Sequence, residues 1–135
     1  MVGAILVSHE NLSQSIVEAL EKITGESRDI IPISSKGISP RQLEEEIISA
    51  IGALKNNEGI ILFTDLYGGS CSHICHRVQR ENPDVIIITG VNLPLLIDFV
   101  FQRSKPAREI VDRLVQKGRA GIKLHIQDGE EGETR

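Results

Sequence analysis

Short apolar runs alternate with longer amphipathic segments along the 135 residues, and this alternation constrains the fold more than any other feature. The runs lack polar residues at every second position, which is typical of strands buried on both faces. The first amphipathic segment carries its apolar residues on one helical stripe: Leu12, Ile16, Ala19, Leu20 and Ile23. The predicted strands are 2–7, 30–33, 59–64, 85–89 and 122–126.

The second predicted helix has the clearest start signals. Ser39 is a natural N-cap, Pro40 suits the first helical position, and Gln42 completes a capping box. Three further helices are predicted: one after Gly68-Gly69-Ser70 that stops before Asn82, one that begins near Pro94, and one from about Pro106 to Gly118.

Strands that alternate with helices in this way predict a parallel sheet with right-handed crossovers and helices on both faces. We therefore expect an α/β three-layer sandwich with a mainly parallel sheet, and we adopt the strand order 2-1-3-4 as a hypothesis. The length allows one domain, residues 1–127, followed by an acidic tail, 128–135, which we expect to be disordered.

Composition excludes several functions. The formal net charge of −4 argues against nucleic acid, and an aromatic content of 3% argues against stacking platforms. No apolar run approaches the roughly 20 residues that span a bilayer, and the first residues lack the basic start of a signal peptide. Two cysteines do not make a disulfide framework. A cytoplasmic location is expected.

Ligands of such sheets bind beyond the carboxyl ends of the strands, where the winding direction reverses. The first strand ends at Ser8-His9 and the third at Thr64-Asp65. If the strand order is 2-1-3-4, these two strands are neighbours and the two side chains lie side by side. A carboxylate beside an imidazole fixes the ring tautomer and stabilises the cationic ring that forms when the other nitrogen is modified. Position alone also allows a solvated or capping role for His9 and a turn or N-cap role for Asp65.

The loop Gly68-Gly69-Ser70 then opens a helix. Its glycines permit a tight turn, while the first helical amides and the Ser70 hydroxyl suit an anion. The loop has no lysine, so it is not a nucleotide P-loop. The expected walls of the same crevice are Ser8, Thr64 and Asn92, the last of which is also placed to cap the following helix. These loops predict a site for phosphate on histidine that needs no metal or other cofactor.

Cys71, His73, Cys75 and His76 suggest a metal site at first sight. At about 100° per residue on a helix, the two cysteines share one face and the two histidines lie on another. A single tetrahedral site would therefore require the helix to unravel, and we predict no metal there. A structural role is expected for His125 on the last strand.

The chain resembles the enzyme IIA domains of the mannose family of the bacterial sugar phosphotransferase system. The resemblance covers nearly the whole sequence and rests on four stretches in order, each at a strand end. They are Gly3-Ala4-Ile5-Leu6-Val7-Ser8-His9, Thr64-Asp65-Leu66-Tyr67-Gly68-Gly69-Ser70, Gly90-Val91-Asn92-Leu93-Pro94-Leu95-Leu96 and Lys117-Gly118-Arg119-Ala120-Gly121-Ile122-Lys123.

The resemblance implies that His9 accepts a phosphoryl group from phospho-HPr and passes it to a IIB component during sugar uptake. Asp65 would orient His9, and residues 68–70 would hold the phosphoryl oxygens. The family also implies a homodimer in which the C-terminal strand, matched here by 121–126, crosses to the partner's sheet. Membrane association would be indirect, through a IIC/IID transporter.

The sequence departs from the family at three positions. Glu10, Cys71 and His73 stand where the family usually has Gly, Pro and Asn. A carboxylate beside the site could repel phosphate, and the loss of proline makes the start of the helix less rigid.

Two other functions are compatible with the same residues. One is a phosphorylation-sensing regulatory domain of the same fold. The other is the phosphoryl-donor subunit of a dihydroxyacetone kinase, although residues 90–96 favour the mannose family over it.

Overall fold

A computed structural model describes residues 1–127 and 133–134. Eleven elements occur in these residues. They are β1 (Gly3–Ser8), α1 (Leu12–Thr24), β2 (Ile30–Ser34), α2 (Pro40–Ala53), β3 (Ile60–Thr64), α3 (Gly69–Glu81), β4 (Ile86–Ile88), α4 (Leu93–Gln102), α5 (Ala107–Ala120), β5 (His125–Ile126) and β6 (Glu133–Thr134).

The first four strands form one parallel sheet in the order β2-β1-β3-β4, as predicted. All residues of β1 and β3 are buried, because helices cover both faces of the sheet. One apolar layer packs α1, α4 and α5 against the sheet, and the other packs α2 and α3 against the opposite face. The α/β three-layer prediction is confirmed.

The predicted start of α2 is also present. The Ser39 side chain accepts a hydrogen bond from the Gln42 amide, and the Gln42 side chain accepts one from the Ser39 amide. Asn92 likewise caps α4 by accepting a hydrogen bond from the Leu95 amide at 3.1 Å.

The buried face of α1 differs from the predicted stripe. Ser13, Val17 and Leu20 are buried, whereas Leu12 and Ile23 at the ends of the stripe are 46% and 57% exposed. Burial of Ser13 is possible because its hydroxyl donates to the Ile33 carbonyl and its amide donates to the Ser8 hydroxyl. A polar residue thus occupies the buried face, a position that apolar spacing alone does not predict.

The C-terminal segment also departs from prediction. Within the expected strand 122–126, only His125–Ile126 is extended and paired, and it joins Glu133–Thr134 in a separate two-stranded antiparallel sheet. After α5, the Ile122 amide donates to the Arg119 carbonyl in a turn, and residues 122–124 are in no strand in the described part of the chain. Of the acidic tail, residues 128–132 and 135 lie outside the described residues.

Candidate functional site

The sheet brings His9 and Asp65 together at the point where the chain winding reverses. β1 and β3 are parallel neighbours, and Val7 is in register with Thr64. The residues that follow these two strands therefore meet at the carboxyl edge of the sheet. The His9 side chain is 46% exposed and the Asp65 side chain only 9%.

One carboxylate oxygen of Asp65 holds His9 at two points. Oδ2 accepts a hydrogen bond from the His9 amide at 3.0 Å and lies 2.9 Å from Nδ1 of the ring. The backbone and the ring of His9 are thus fixed by the same atom, which restricts both the turn and the side-chain rotamer. The other oxygen, Oδ1, is buried without a hydrogen-bond partner in the described part of the chain.

The charge state of Asp65 determines the tautomer of His9. Burial raises the pKa of the Asp65 carboxyl, but the hydrogen bonds from the His9 amide and ring, with the charge attraction between them, outweigh burial. The pKa consequently lies below its ordinary value of 3.8. An ionised carboxylate can only accept, so Nδ1 carries the hydrogen and Nε2 has the free lone pair.

The predicted phosphate loop lies between Asp65 and α3. Gly68 and Gly69 have φ of 92° and 76°, values that strongly favour glycine, and no atom would block a Cβ at either position. The positive φ angles of the turn, and not crowding of a side chain by neighbouring atoms, therefore explain the two glycines. α3 begins at Gly69, and Ser70 in its first turn is exposed.

The hydroxyls of Ser8 and Thr64 are turned into the fold. Ser8 Oγ accepts from the Ser13 amide at 2.7 Å and donates to the His9 carbonyl at 3.2 Å. Thr64 Oγ1 donates to the Leu66 carbonyl at 3.1 Å. Both side chains are buried, and both fix the loops that carry the site.

Asn92 joins two helices. Besides capping α4, its amide group donates to the Gly118 carbonyl of α5 at 2.9 Å. Its neighbour Val91 donates its amide to the Thr64 carbonyl at 3.1 Å, which ties the loop after β4 to the end of β3. The Asn92 side chain is thus engaged in contacts within the fold.

Glu10 adopts a left-handed backbone, with φ of 49°. Its carbonyl accepts a hydrogen bond from the Ser34 hydroxyl, and its carboxylate lies 3.4 Å from Lys36 Nζ. Glu10 was predicted from the sequence as a departure from the family, whereas Ser34 and Lys36 were not predicted. No local pattern reveals these contacts, because they join two loops that are 24 or more residues apart.

Exposed apolar side chains occur at the first residue of α1 and in the loop after β3. Leu12 is 46% exposed, Leu66 47% and Tyr67 80%. We call these three residues the apolar rim. The apolar rim was not predicted from the sequence, although Leu66 and Tyr67 could have been found as large apolar residues in a predicted loop.

The two cysteines and two histidines of α3 lie as the helical spacing predicts. Cys71 and Cys75 are buried, His73 is exposed, and His76 Nδ1 donates to the Ser72 carbonyl at 2.7 Å. Burial, with the nearby Cys71 and Asp65, raises the pKa of the Cys75 thiol to about 12. The described residues contain no group of three or more His, Cys, Asp or Glu side chains placed to hold a metal ion.

Comparison with known proteins identifies the family. The family model for the PTS system fructose IIA component matches residues 3–115. The chain belongs to this family. The resemblance to the mannose-type IIA domains of the sugar phosphotransferase system is thereby confirmed.

Individual relatives of this IIA chain are distant. It is 29% identical over 98 residues to the sorbose-specific EIIA component of Lacticaseibacillus casei, covering 70% of this chain and 68% of the relative. It is 23% identical over 105 residues to the fructose-specific EIIA component of Bacillus subtilis, and the match covers 77% of this chain and 72% of the relative. The crystal structure of a phosphotransferase system component EIIA from Streptococcus agalactiae superposes with a TM-score of 0.82. The two sequences are 24% identical, and the superposition covers 90% of this chain and 95% of the Streptococcus agalactiae chain. The comparison therefore shows the shared fold.

Family membership gives this IIA chain a role as a phosphocarrier of the sugar phosphotransferase system. Among the described residues, no helix is long and apolar enough to cross a membrane.

Proposed function

We propose that this IIA component carries its phosphoryl group on Nε2 of His9, accepts it from phospho-HPr and passes it to a IIB component. The observation that carries the proposal is the 2.9 Å contact between His9 Nδ1 and Asp65 Oδ2. This contact occupies one ring nitrogen and leaves the other, on a 46% exposed side chain, as the nucleophile.

The transfer is an exchange between two imidazoles. The lone pair of His9 Nε2 attacks phosphorus, the bond between phosphorus and the donor's ring nitrogen breaks, and its electron pair returns to the donor ring. His9 keeps its hydrogen on Nδ1, so the phosphorylated ring is cationic and is stabilised by the Asp65 carboxylate. Because the bonds formed and broken are similar, the reaction requires positioning and charge stabilisation more than a change of chemistry.

Residues 68–70 would receive the phosphoryl oxygens. The 13-residue helix α3 starts at Gly69, and its first amides have no acceptors within the helix. The positive end of the helix dipole and the exposed Ser70 hydroxyl favour an anion at the same place. Neither group needs a metal ion to act.

The apolar rim would contact the protein partners. Leu12 and Tyr67 follow the strands that carry His9 and Asp65, so a partner that presents its own histidine to His9 would cover them. Burial of exposed apolar side chains at an interface core provides binding free energy that does not depend on the phosphoryl group.

A homodimer completes the proposal. Ile122, Leu124 and Ile126 are 75%, 51% and 53% exposed, although they are large and apolar. β4 pairs only with β3 among the described strands, so one of its edges can accept a strand from a second copy. Such a dimer would work in the cytoplasm and reach the membrane through a IIC/IID transporter.

The test uses enzyme I, HPr and phosphoenolpyruvate labelled with phosphorus-32. We expect acid-labile label on the wild-type chain and none on His9→Ala, while the matched control His73→Ala, an exposed histidine on α3, is labelled like the wild type. Undiminished label on His9→Ala would overturn the proposal.

A second step separates a carrier from a regulatory domain. The labelled chain is mixed with a IIB component of the mannose family, and a carrier is expected to lose its label to IIB. A regulatory domain would retain the label.

A further inference from the structure

We propose that Ser34, the last residue of β2, is a positioning residue for His9 and acts through the backbone of Glu10. The inference rests on the proposed function, because it takes His9 as the phosphoryl acceptor. The geometry that supports it, however, involves only the resting protein.

The residue after His9 has a strained backbone. Glu10 has φ of 49°, a conformation that L-residues with side chains rarely adopt. Such residues persist where their surroundings hold them, and they cluster at functional sites. Because Glu10 directly follows His9, relaxation of its backbone to negative φ would move either His9 or the start of α1.

The end of β2 supplies the contacts that hold this conformation. The Ser34 hydroxyl donates to the Glu10 carbonyl and accepts a hydrogen bond from the Lys36 amide at 3.0 Å. Lys36 Nζ, in turn, lies 3.4 Å from the Glu10 carboxylate. Ser34 therefore holds the backbone of Glu10. Lys36, whose amide binds the Ser34 hydroxyl, contacts the Glu10 side chain.

The start of α1 is fixed independently. The Ser13 amide donates to the Ser8 hydroxyl at 2.7 Å, and the Ser13 hydroxyl donates to the Ile33 carbonyl at 3.0 Å. With α1 held on one side of Glu10, we expect relaxation of Glu10 to shift His9 on the other side. The ring of His9 would then change its orientation relative to Asp65. Oδ2 of Asp65 holds both the amide and the ring of His9.

The first measurement is the rate of His9 labelling from phospho-HPr. We expect Ser34→Ala to lower this rate about tenfold, less than the roughly hundredfold cost of a 1 Å misplacement. Ser34→Thr keeps the hydroxyl and is expected to restore the rate. Ser35→Ala is the matched control, because the adjacent Ser35 hydroxyl makes no hydrogen bond to any described residue.

A double variant separates positioning from a general structural role. Glycine adopts positive φ without strain, so in a Glu10→Gly background the loss of Ser34 is expected to change the rate less than twofold. Equal rate losses from Ser34→Ala in the wild-type and Glu10→Gly backgrounds would overturn the proposal. The double variant also remains available if Ser34→Ala alone does not fold.

The second measurement is independent of phosphorylation. The ring nitrogen chemical shifts of His9 report the population of its two neutral tautomers. We expect Ser34→Ala to increase the tautomer with hydrogen on Nε2, and Ser34→Thr and Ser35→Ala to leave the populations unchanged.

The two measurements distinguish the failure of this inference from the failure of the proposed function. If the wild type takes no label but the ring signals of Ser34→Ala shift as expected, the proposed function fails and the positioning role stands. If the wild type is labelled on His9 and Ser34→Ala changes neither rate nor ring signals, the positioning role fails alone.

Discussion

The pair of His9 and Asp65 shows how two ordinary side chains acquire separate roles from a single contact. Asp65 is nearly buried and ionised, so it accepts a hydrogen bond from Nδ1 and leaves the lone pair of Nε2 free on the solvent side. Both residues were predicted from sequence because each directly follows a buried strand. The atom-level roles were not, because they depend on the angle at which the two loops meet.

Replacement of Asp65 by asparagine should slow phosphoryl transfer about 10- to 100-fold. This corresponds to the loss of a hydrogen bond to a charged group, about 1.5–3 kcal/mol. Asparagine is nearly isosteric, so the circular dichroism spectrum should not change. The rate of label uptake by Asp65→Asn measures the effect, and an unchanged rate would remove Asp65 from the mechanism.

Asp65 should also make stability depend on pH. Its folded-state pKa is lowered below 3.8, so its stabilising contribution is fully present above that value and is lost as the pH falls through the folded-state pKa. The difference in unfolding free energy between wild type and Asp65→Asn should therefore shrink between about pH 6 and about pH 3. Denaturant titrations at these two pH values measure it; a constant difference would contradict the assignment.

Glu10→Gly should stabilise the protein by about 1 kcal/mol. A left-handed backbone costs a residue with a side chain roughly 1–2 kcal/mol, and the greater flexibility of glycine in the unfolded chain offsets part of the gain. Urea unfolding measures the change. Glu10→Ala is the control, since it removes the carboxylate but keeps the strain, and a gain of the same size there would attribute the effect to charge.

At the scale of elements, the accuracy of each helix prediction depended on how clear its local sequence signals were. α2 begins where Ser39, Pro40 and Gln42 predict, because a capping box satisfies amides that the helix itself leaves free. The buried face of α1 was predicted less well, because Ser13 is buried through bonds to Ser8 and Ile33, which belong to two different strands.

Ser39→Ala should destabilise the protein by about 1 kcal/mol, because the Gln42 amide loses its acceptor. Thermal or urea unfolding measures the loss. Ser49→Ala is the matched control, as Ser49 is exposed on the same helix away from its start. Equal effects of the two substitutions would show that the capping box contributes nothing.

At the scale of the whole molecule, a buried arginine ties together three parts of the chain opposite the site. Arg103 follows α4 and is 3% exposed. Its guanidinium donates to the carbonyls of Val2, Arg28 and Asp29 and lies 5.0 Å from the centre of the Phe99 ring. The starts of β1 and β2 are thereby joined to the end of α4.

Arg103→Met should lower the free energy of unfolding by about 2–4 kcal/mol, because buried carbonyls lose their donors. Phosphorylation of His9 should persist at temperatures where the variant is folded, because Arg103 lies at the opposite end of the strands. Urea unfolding and label uptake measure the two effects. Arg108→Met, at an exposed position on α5, is the control, and equal stability of the two variants would contradict the role of Arg103.

The sequence by itself predicted the parallel sheet, the helical layers and the two side chains that meet at the candidate site. These follow from apolar periodicity and from the rule that polar residues directly after parallel strands meet at one edge. The tertiary structure alone decided which ring nitrogen is free, that the Ser8 and Thr64 hydroxyls point inward, and that Ser34 supports Glu10. The contacts of His9 with Asp65 and of Ser34 with Glu10 join segments distant in the chain at about 3 Å, and only the pairing of the strands and the packing around them set distances of that size.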